Sequence, residues 1–140
     1  RVGTPRSAII AQVGGLPDNA AKVISGGPMM GKAISNLDAP TLKGSSSVLF
    51  LTEEQTRRKP ESNCIRCAKC VAACPMGLEP YLLNKLGKAK RYDDLEAHKV
   101  YDCIECGCCQ FTCPANIPLL DTIRYAKGTV MKIMRSRPKK

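Results

Sequence analysis

Short apolar stretches separated by glycine and proline run through the first fifty residues. Apolar side chains at helical spacing follow Thr4-Pro5, a pair typical of a helix start, and Gly14-Gly15 predicts the end of that helix. Three further stretches carry the short apolar pattern of a strand: residues 22–25, 40–43 and 46–51. One helix and three short strands bury little apolar surface, so we expect a small α+β module that is incomplete and belongs to a larger parent protein.

In the second half of the chain, apolar residues recur at the three- to four-residue spacing of helices and do not alternate as in strands. Residues 75–102 carry leucines at positions that predict two short helices: Leu82, Leu83, Leu86 and Leu95. Residues 118–134 repeat apolar side chains every three or four positions, which predicts an amphipathic helix that Gly128 weakens. The predicted organisation is, in chain order, the α+β module (1–52), a charged linker (53–62), a helical domain (63–127) and a basic helix end and tail (128–140).

The amino-acid composition disfavours a large packed core and favours a chemical role for the cysteines. Aromatic residues make up 4% of the chain, tryptophan is absent, and nine of the 140 residues are cysteine. An odd count disfavours a closed disulfide framework. The opening residues 1–5 lack the apolar run of a secretory signal, so we expect a reducing compartment, where clustered cysteines are more often metal ligands. No apolar run approaches the roughly 18 residues of a membrane span, so any membrane association is expected to be peripheral.

Eight of the nine cysteines form two runs of one pattern, C-x2-C-x2-C-x3-C-P. The first run contains Cys64, Cys67, Cys70 and Cys74, and the second contains Cys103, Cys106, Cys109 and Cys113. Three closely spaced thiolates can reach three irons of one [4Fe-4S] cubane, whereas the fourth points to the other cluster in two-cluster ferredoxins. The sequence therefore predicts an electron carrier with two clusters and no catalytic residue. The expected ligands are Cys64, Cys67, Cys70 and Cys113 for cluster 1, and Cys103, Cys106, Cys109 and Cys74 for cluster 2.

Zinc is the alternative metal. Structural zinc sites usually use paired C-x2-C knuckles with a long spacer, and four cysteines within eleven residues give one zinc ion a poor tetrahedron. A zinc-stabilised nucleic-acid-binding module is favoured only by the net charge of +10, from 22 basic and 12 acidic residues. Two oxidised clusters, each about −2 with its thiolates, would reduce that charge to about +6. No nucleic-acid partner is expected.

Cys108 is the ninth cysteine and breaks the repeated pattern. It could replace Cys109 as a ligand, but the repeat with the first run favours Cys109. We expect Cys108 to be a small buried thiol beside the cluster.

Residues 26–33 nearly match the phosphate loop G-x4-G-K-[ST], but two substitutions argue against a nucleotide site. Ala33 stands where a hydroxyl would hold Mg²⁺, and Pro28 lacks an N–H for a phosphate cradle. We expect a glycine-rich turn instead. His98 is the single histidine and has no partner for a catalytic or zinc pair, so it is expected at the surface.

Several segments together carry a family resemblance: residues 2–5, 22–31, 43–44, 64–67, 73–78 and 102–109. They resemble the C subunit of the Rnf electron transport complex, and Cys108 belongs to the Cys-Ile-Glu-Cys-Gly-Cys-Cys string that carries much of that likeness. The helical connection between the two runs also resembles the α-helical ferredoxins of respiratory iron–sulfur subunits.

The resemblance implies a β-grasp-like module of the SLBB type, followed by an α-helical two-[4Fe-4S] ferredoxin domain. It implies electron transfer within an NADH/ferredoxin ion-translocating oxidoreductase complex, peripheral at the cytoplasmic face of the inner membrane. The expected partners are other subunits and a ferredoxin or flavin-bearing protein. The family's FMN- and NADH-binding domain would precede Arg1, so neither cofactor is expected on these residues. A related flavin reductase, such as a cobalamin reductase, resembles the same parts and stays an alternative.

Overall fold

The computed structural model describes residues 1–138. Lys139 and Lys140, which end the predicted basic tail, lie outside the described residues. The chain divides into two compact units, residues 1–58 and the residues from Lys59 onward. The first unit is a small antiparallel sheet with short helices, and the second is helical.

A three-stranded antiparallel sheet forms the centre of the first unit. Strand β1 (Ala20–Ser25) lies in the middle and pairs with β2 (Lys32–Ile34) on one side and β3 (Val48–Thr52) on the other. Ile24 of β1 pairs with Ala33 and Leu49 and is the buried residue of the strand. The strands predicted at 22–25 and 46–51 are therefore confirmed, with ends shifted by one or two residues.

Two short helices flank the sheet in sequence. Helix α1 (Arg6–Gln12) begins after Pro5, one residue later than predicted, and the chain leaves it through Gly14 and Gly15, both with positive φ. Helix α2 (Glu53–Thr56) follows β3 directly, because the Thr52 and Gln55 side chains each accept the other's backbone N–H. The stretch expected as a linker therefore starts with a helical turn.

The predicted strand at residues 40–43 is wrong. Pro40 makes an isolated bridge with Pro5, and Thr41 beside it donates to Thr4 O and accepts from the Gly3 N–H, each at 2.9 Å. The chain then turns, where the Ser45 N–H donates to Leu42 O at 2.9 Å. This turn ends the pairing after Thr41, so the stretch forms a bridge and not a strand. The third strand is β2, which sequence reasoning missed because its three residues directly follow a glycine-rich loop.

Residues 26–31 form the expected glycine-rich turn and connect β1 to β2. Gly26 has a φ of 104°, and the Gly31 N–H donates to Gly27 O at 2.8 Å. A Cβ on Gly31 would lie 2.5 Å from Gly27 O and overlap the Ile24 side chain. A strand follows the loop, so it lacks the helix N-terminus that a phosphate loop requires.

Helices make up the second unit, and the longest of them organises its core. The elements are α3 (Lys69–Ala72), α4 (Pro80–Lys88), α5 (Tyr92–Ala97), a 3₁₀ turn (Val100–Asp102), α6 (Cys108–Phe111) and α7 (Leu119–Ser136). Helix α7 packs against α4, α5 and the 3₁₀ turn. The largest fully buried side chains are Leu83, Leu95, Val100, Leu119, Ile123 and Val130. The two short helices between the runs and the long amphipathic helix are therefore confirmed.

Helices α4 and α7 cross closely at Gly87. A Cβ at this position would lie 3.0 Å from the Thr122 side chain and 3.4 Å from that of Ala126. Small residues on both helices permit this approach. Within residues 1–138, no helix combines the length and the apolar character that crossing a lipid bilayer requires.

We expect Gly31→Ala to reduce the free energy of unfolding by about 1–3 kcal/mol, because the new methyl group overlaps a carbonyl oxygen and a packed side chain. Gly27→Ala is the matched control, since a Cβ there meets no atom within 4 Å. Urea denaturation followed by circular dichroism measures both variants. Equal stability of the two variants would contradict the close packing of the loop.

Candidate metal centre

The two cysteine runs share one backbone conformation, displaced along the chain by 39 positions from Cys64 to Cys103. Arg66 and Ala68 in the first run have positive φ, and so do their equivalents in the second run, Glu105 and Gly107. These left-handed residues turn the chain sharply between successive cysteines. The first three cysteines of each run can therefore face a common space.

A single helical turn carries the third cysteine of each run and delivers the fourth. Cys70 lies in α3 and Cys109 in α6, and the turn that follows each helix ends in a Cys-Pro pair. Further left-handed residues then lead into the long helices α4 and α7. These are Gly77 and Asn116, again 39 positions apart. The duplication therefore extends beyond the cysteines to the helices that pack around them.

The first cavity has a volume of about 800 Å³ and collects four cysteines from both runs. Cys64, Cys67 and Cys70 line it together with Cys113, the last cysteine of the second run. Cys64 and Cys67 are exposed, so the cavity opens to solvent on that side. Its other lining residues include charged side chains: Glu61, Arg66, Lys85 and Lys88.

The second cavity is much smaller, about 20 Å³, and collects the remaining four cysteines of the two runs. Cys103, Cys106 and Cys109 line it with Cys74, the last cysteine of the first run. No charged side chain of the described residues lines it. The surrounding side chains are apolar and come mainly from α4, α7 and the loops before them: Met76, Leu78, Leu83, Ile104, Leu120 and Ile123.

Burial and mutual repulsion favour the protonated thiols when no metal is bound. Burial, followed by repulsion from Cys103, raises the pKa of Cys109 to about 11. Burial also raises the pKa values of Cys70 and Cys103, with smaller contributions from the charges of Cys113 and Cys74 respectively. These contributions place the last cysteine of each run close to the other run. Binding of a metal must displace the thiol protons, so loading releases protons.

The donor set of each cavity fits a thiolate-ligated cluster. Four thiols surround a space in each case, which is the ligand count of a cubane cluster, and soft thiolates suit iron–sulfur clusters or zinc. All nine cysteines are free thiols. Within residues 1–138, no three His, Cys, Asp or Glu side chains are grouped to hold one metal ion.

Cys108 lines neither cavity and is half-buried rather than fully buried. Its thiol donates a hydrogen bond to Cys106, which raises the pKa of Cys108. The ninth cysteine therefore contacts Cys106, which lines the second cavity, but does not itself line that cavity.

An ion-pair group ties the second run to helix α7, and sequence reasoning missed it. Glu105 accepts from Arg124 at 3.0 Å and lies 3.3 Å from Lys127, whose ammonium also donates to Cys103 O at 2.6 Å. The positive charge of Lys127 partly opposes the rise in the pKa of Cys103 that burial causes. In the sequence, this ion-pair group is indicated only by the three-position spacing of Arg124 and Lys127, which places both on one helix face.

Comparison with known proteins agrees with this donor chemistry. Residues 56–123 match the family described as the 4Fe-4S dicluster domain. This match supports iron–sulfur clusters as the occupants of the cysteine-lined region.

Curated relatives match almost the whole chain. The chain is 47% identical to the C subunit of the proton-translocating ferredoxin:NAD(+) oxidoreductase complex of Clostridium ljungdahlii, over 91% of its own length and 28% of that protein. It is 42% identical to the C subunit of the Na(+)-translocating ferredoxin:NAD(+) oxidoreductase complex of Acetobacterium woodii, over 94% and 30%. It is also 42% identical to the C subunit of the ion-translocating oxidoreductase complex of Rhodobacter capsulatus, over 91% and 24%. The chain thus spans less than a third of each of these relatives, all of which belong to multi-protein complexes.

We expect Cys108→Ala to leave the metal and sulfide content of the loaded chain unchanged, because Cys108 lines neither cavity. Cys109→Ala should lower both contents by about half, since it removes one of four thiols around the second cavity. Metal analysis after anaerobic loading measures both variants side by side. If the two variants exchanged these outcomes, Cys108 would be the ligand of the second run.

Proposed function

We propose that the chain supplies the electron-transfer portion of a C subunit in an ion-translocating oxidoreductase complex, since it is homologous to part of such subunits. One observation carries the proposal: each cavity is lined by three cysteines of one run and the last cysteine of the other. This arrangement suits two iron–sulfur clusters held side by side.

The proposed ligands follow from the lining of the two cavities. Cluster 1 is a [4Fe-4S] cluster held by Cys64, Cys67, Cys70 and Cys113. Cluster 2 is a [4Fe-4S] cluster held by Cys103, Cys106, Cys109 and Cys74. The charge contributions of Cys113 at Cys70, and of Cys74 at Cys103 and Cys109, support this crossed assignment.

Each cluster, when bound, would accept and release one electron, and the chain's own residues fix where it does so. Helices α3 and α6 pack against each other and carry the third cysteine of each run. Exchange of the fourth cysteine then keeps the two cavities adjacent. The residues of this chain therefore act in electron transfer, and we assign none of them to bond chemistry.

The remaining assignments concern the whole subunit and its complex. The partners proposed are other subunits of the complex and a ferredoxin or flavin-bearing protein, in a peripheral position at the cytoplasmic face of the cell membrane. FMN and NADH would bind to parts of the subunit other than residues 1–140. The relatives' names, which include ferredoxin:NAD(+) oxidoreductase complexes, support other subunits as partners and the involvement of ferredoxin and NAD(+).

Residues 1–52 are proposed to form a β-grasp-like module of the SLBB type. Its support is the three-stranded antiparallel sheet with α1, together with the sequence likeness of residues 22–31 to the family. This module would position the cluster-bearing unit within the larger subunit.

Substitution of the last cysteine of one run should damage the cluster of the other run. The loaded wild-type chain should hold about eight iron and eight sulfide. In Cys113→Ser, the thiols of Cys64, Cys67 and Cys70 should become open to alkylation, whereas those lining the second cavity stay protected. Peptide mass spectrometry after anaerobic iodoacetamide treatment identifies the modified residues.

Cys74→Ser is the matched variant and should expose Cys103, Cys106 and Cys109 instead. Alkylation confined to the substituted residue's own run, in either variant, would reject the crossed ligands. Stoichiometric zinc in place of iron would reject the electron-transfer proposal altogether.

A further inference from the structure

The duplicated scaffold allows the two cavities to be compared position by position. Helices α4 and α7 begin 39 positions apart, at Pro80 and Leu119, as the two cysteine runs do. By the same offset, Asn84 of α4 corresponds to Ile123 of α7. Asn84 lines the first cavity and Ile123 lines the second.

Asn84 is a polar residue at a position where its equivalent is part of the core. Only 8% of it is exposed, against 1% of Ile123. The Asn84 Oδ1 atom is buried and has no hydrogen-bond partner among the described residues. A buried polar atom left without a partner costs about 1–3 kcal/mol, so the carboxamide is expected to hydrogen-bond to a group that occupies the cavity.

The chemistry of the carboxamide suits a sulfur-rich occupant. Its two ends exchange by rotation about the side chain, which places an NH₂ group with two donors where the oxygen stands. The sulfide and thiolate sulfurs of a cluster are acceptors. Hydrogen bonds to these sulfurs are one of the factors that set the potential of an iron–sulfur cluster.

A second difference between the cavities also gives the first cavity an additional hydrogen-bond donor. One helical turn before Asn84, the backbone N–H of Tyr81 donates a hydrogen bond to the Cys70 sulfur. At the equivalent position of α7, the Leu120 N–H instead donates to Gln110 Oε1 at 3.0 Å. The first cavity therefore receives a helix N–H that the second does not.

The charged residues around the two cavities also differ. Arg66 and Lys85 line the first cavity and make no ion pair among the described residues. The equivalent of Arg66 is the acidic Glu105, which forms ion pairs with both Arg124 and Lys127. Unpaired positive charge stabilises the reduced form of a cluster, which carries one more negative charge.

We propose that Asn84 is a positioning residue that donates a hydrogen bond to a sulfur of cluster 1 and makes it the cluster of higher reduction potential. The inference rests on the proposed function, because it requires both cavities to hold clusters. It attributes part of the difference in reduction potential between the two clusters to the position that is Asn84 in α4 and Ile123 in α7.

The test is a potentiometric titration of the full chain, loaded anaerobically with iron and sulfide and followed by electron paramagnetic resonance. The wild type should show two one-electron waves. In Asn84→Leu, the equilibrium constant for the upper wave should fall about tenfold, which is 59 mV for one electron, while the lower wave stays in place. Leu86→Met is the control, because Leu86 is buried in α4 but lines neither cavity, and it should move neither wave.

The variant Lys127→Met shows which redox wave belongs to which cluster. Lys127 lies beside Cys103, so its loss should lower the potential of cluster 2 and move only the lower wave. Asn84→Ala is the second variant, should Leu disturb packing, and it should move the same wave as Asn84→Leu.

The outcomes separate the two proposals. An iron content well below about eight per wild-type chain would overturn the two-cluster function on which this inference depends. Full iron content with an unmoved upper wave in both Asn84 variants would overturn the role of Asn84 alone. Movement of one and the same wave by Asn84→Leu and Lys127→Met would also overturn it.

Discussion

The exchange of one cysteine between two runs is the constraint on which the second unit depends. Cys113 lines the cavity of the first run and Cys74 that of the second, so neither cavity is complete without both runs. The chain has no tryptophan and few aromatic residues, and its core consists mainly of medium-sized aliphatic side chains. In the proposed loaded state, metal–thiolate bonds would add to this modest core, because ligation and folding are coupled. Burial raises the pKa values of Cys70, Cys103 and Cys109, so the unloaded thiols keep their protons until metal displaces them.

The duplication gives the two cavities nearly equivalent backbones, but the side chains around the cavities differ. The same left-handed positions, single-turn helices and long helices recur 39 residues apart. The first cavity opens to solvent among charged residues, and Asn84 lines it. The second is small and apolar, and the charges of Arg124 and Lys127 near it are paired with Glu105. Two sites built on one backbone can therefore differ in potential through side chains alone.

Much of the second unit could be predicted from the sequence because its determinants are local. The cysteine spacing specified which thiols belong to each run, and the apolar period specified α4, α5 and α7. The first unit was harder, because strands of three to six residues carry little periodic signal. In the stretch predicted as a strand at 40–43, a turn after Thr41 ends the pairing. Strand β2 has three residues and directly follows a glycine-rich loop, so its pattern is too short to recognise. The roles of Asn84 and of the Glu105 ion pairs depend on how helices pack against the runs, which spacing alone does not specify.

The most direct test is a crystal structure of the loaded chain with an anomalous difference map at the iron absorption edge. The crossed ligation predicts two iron clusters, one in each cavity. Continuous density should join the first cluster to Cys113 Sγ and the second to Cys74 Sγ. Two clusters each held by the four cysteines of a single run, or single metal ions in place of clusters, would contradict it.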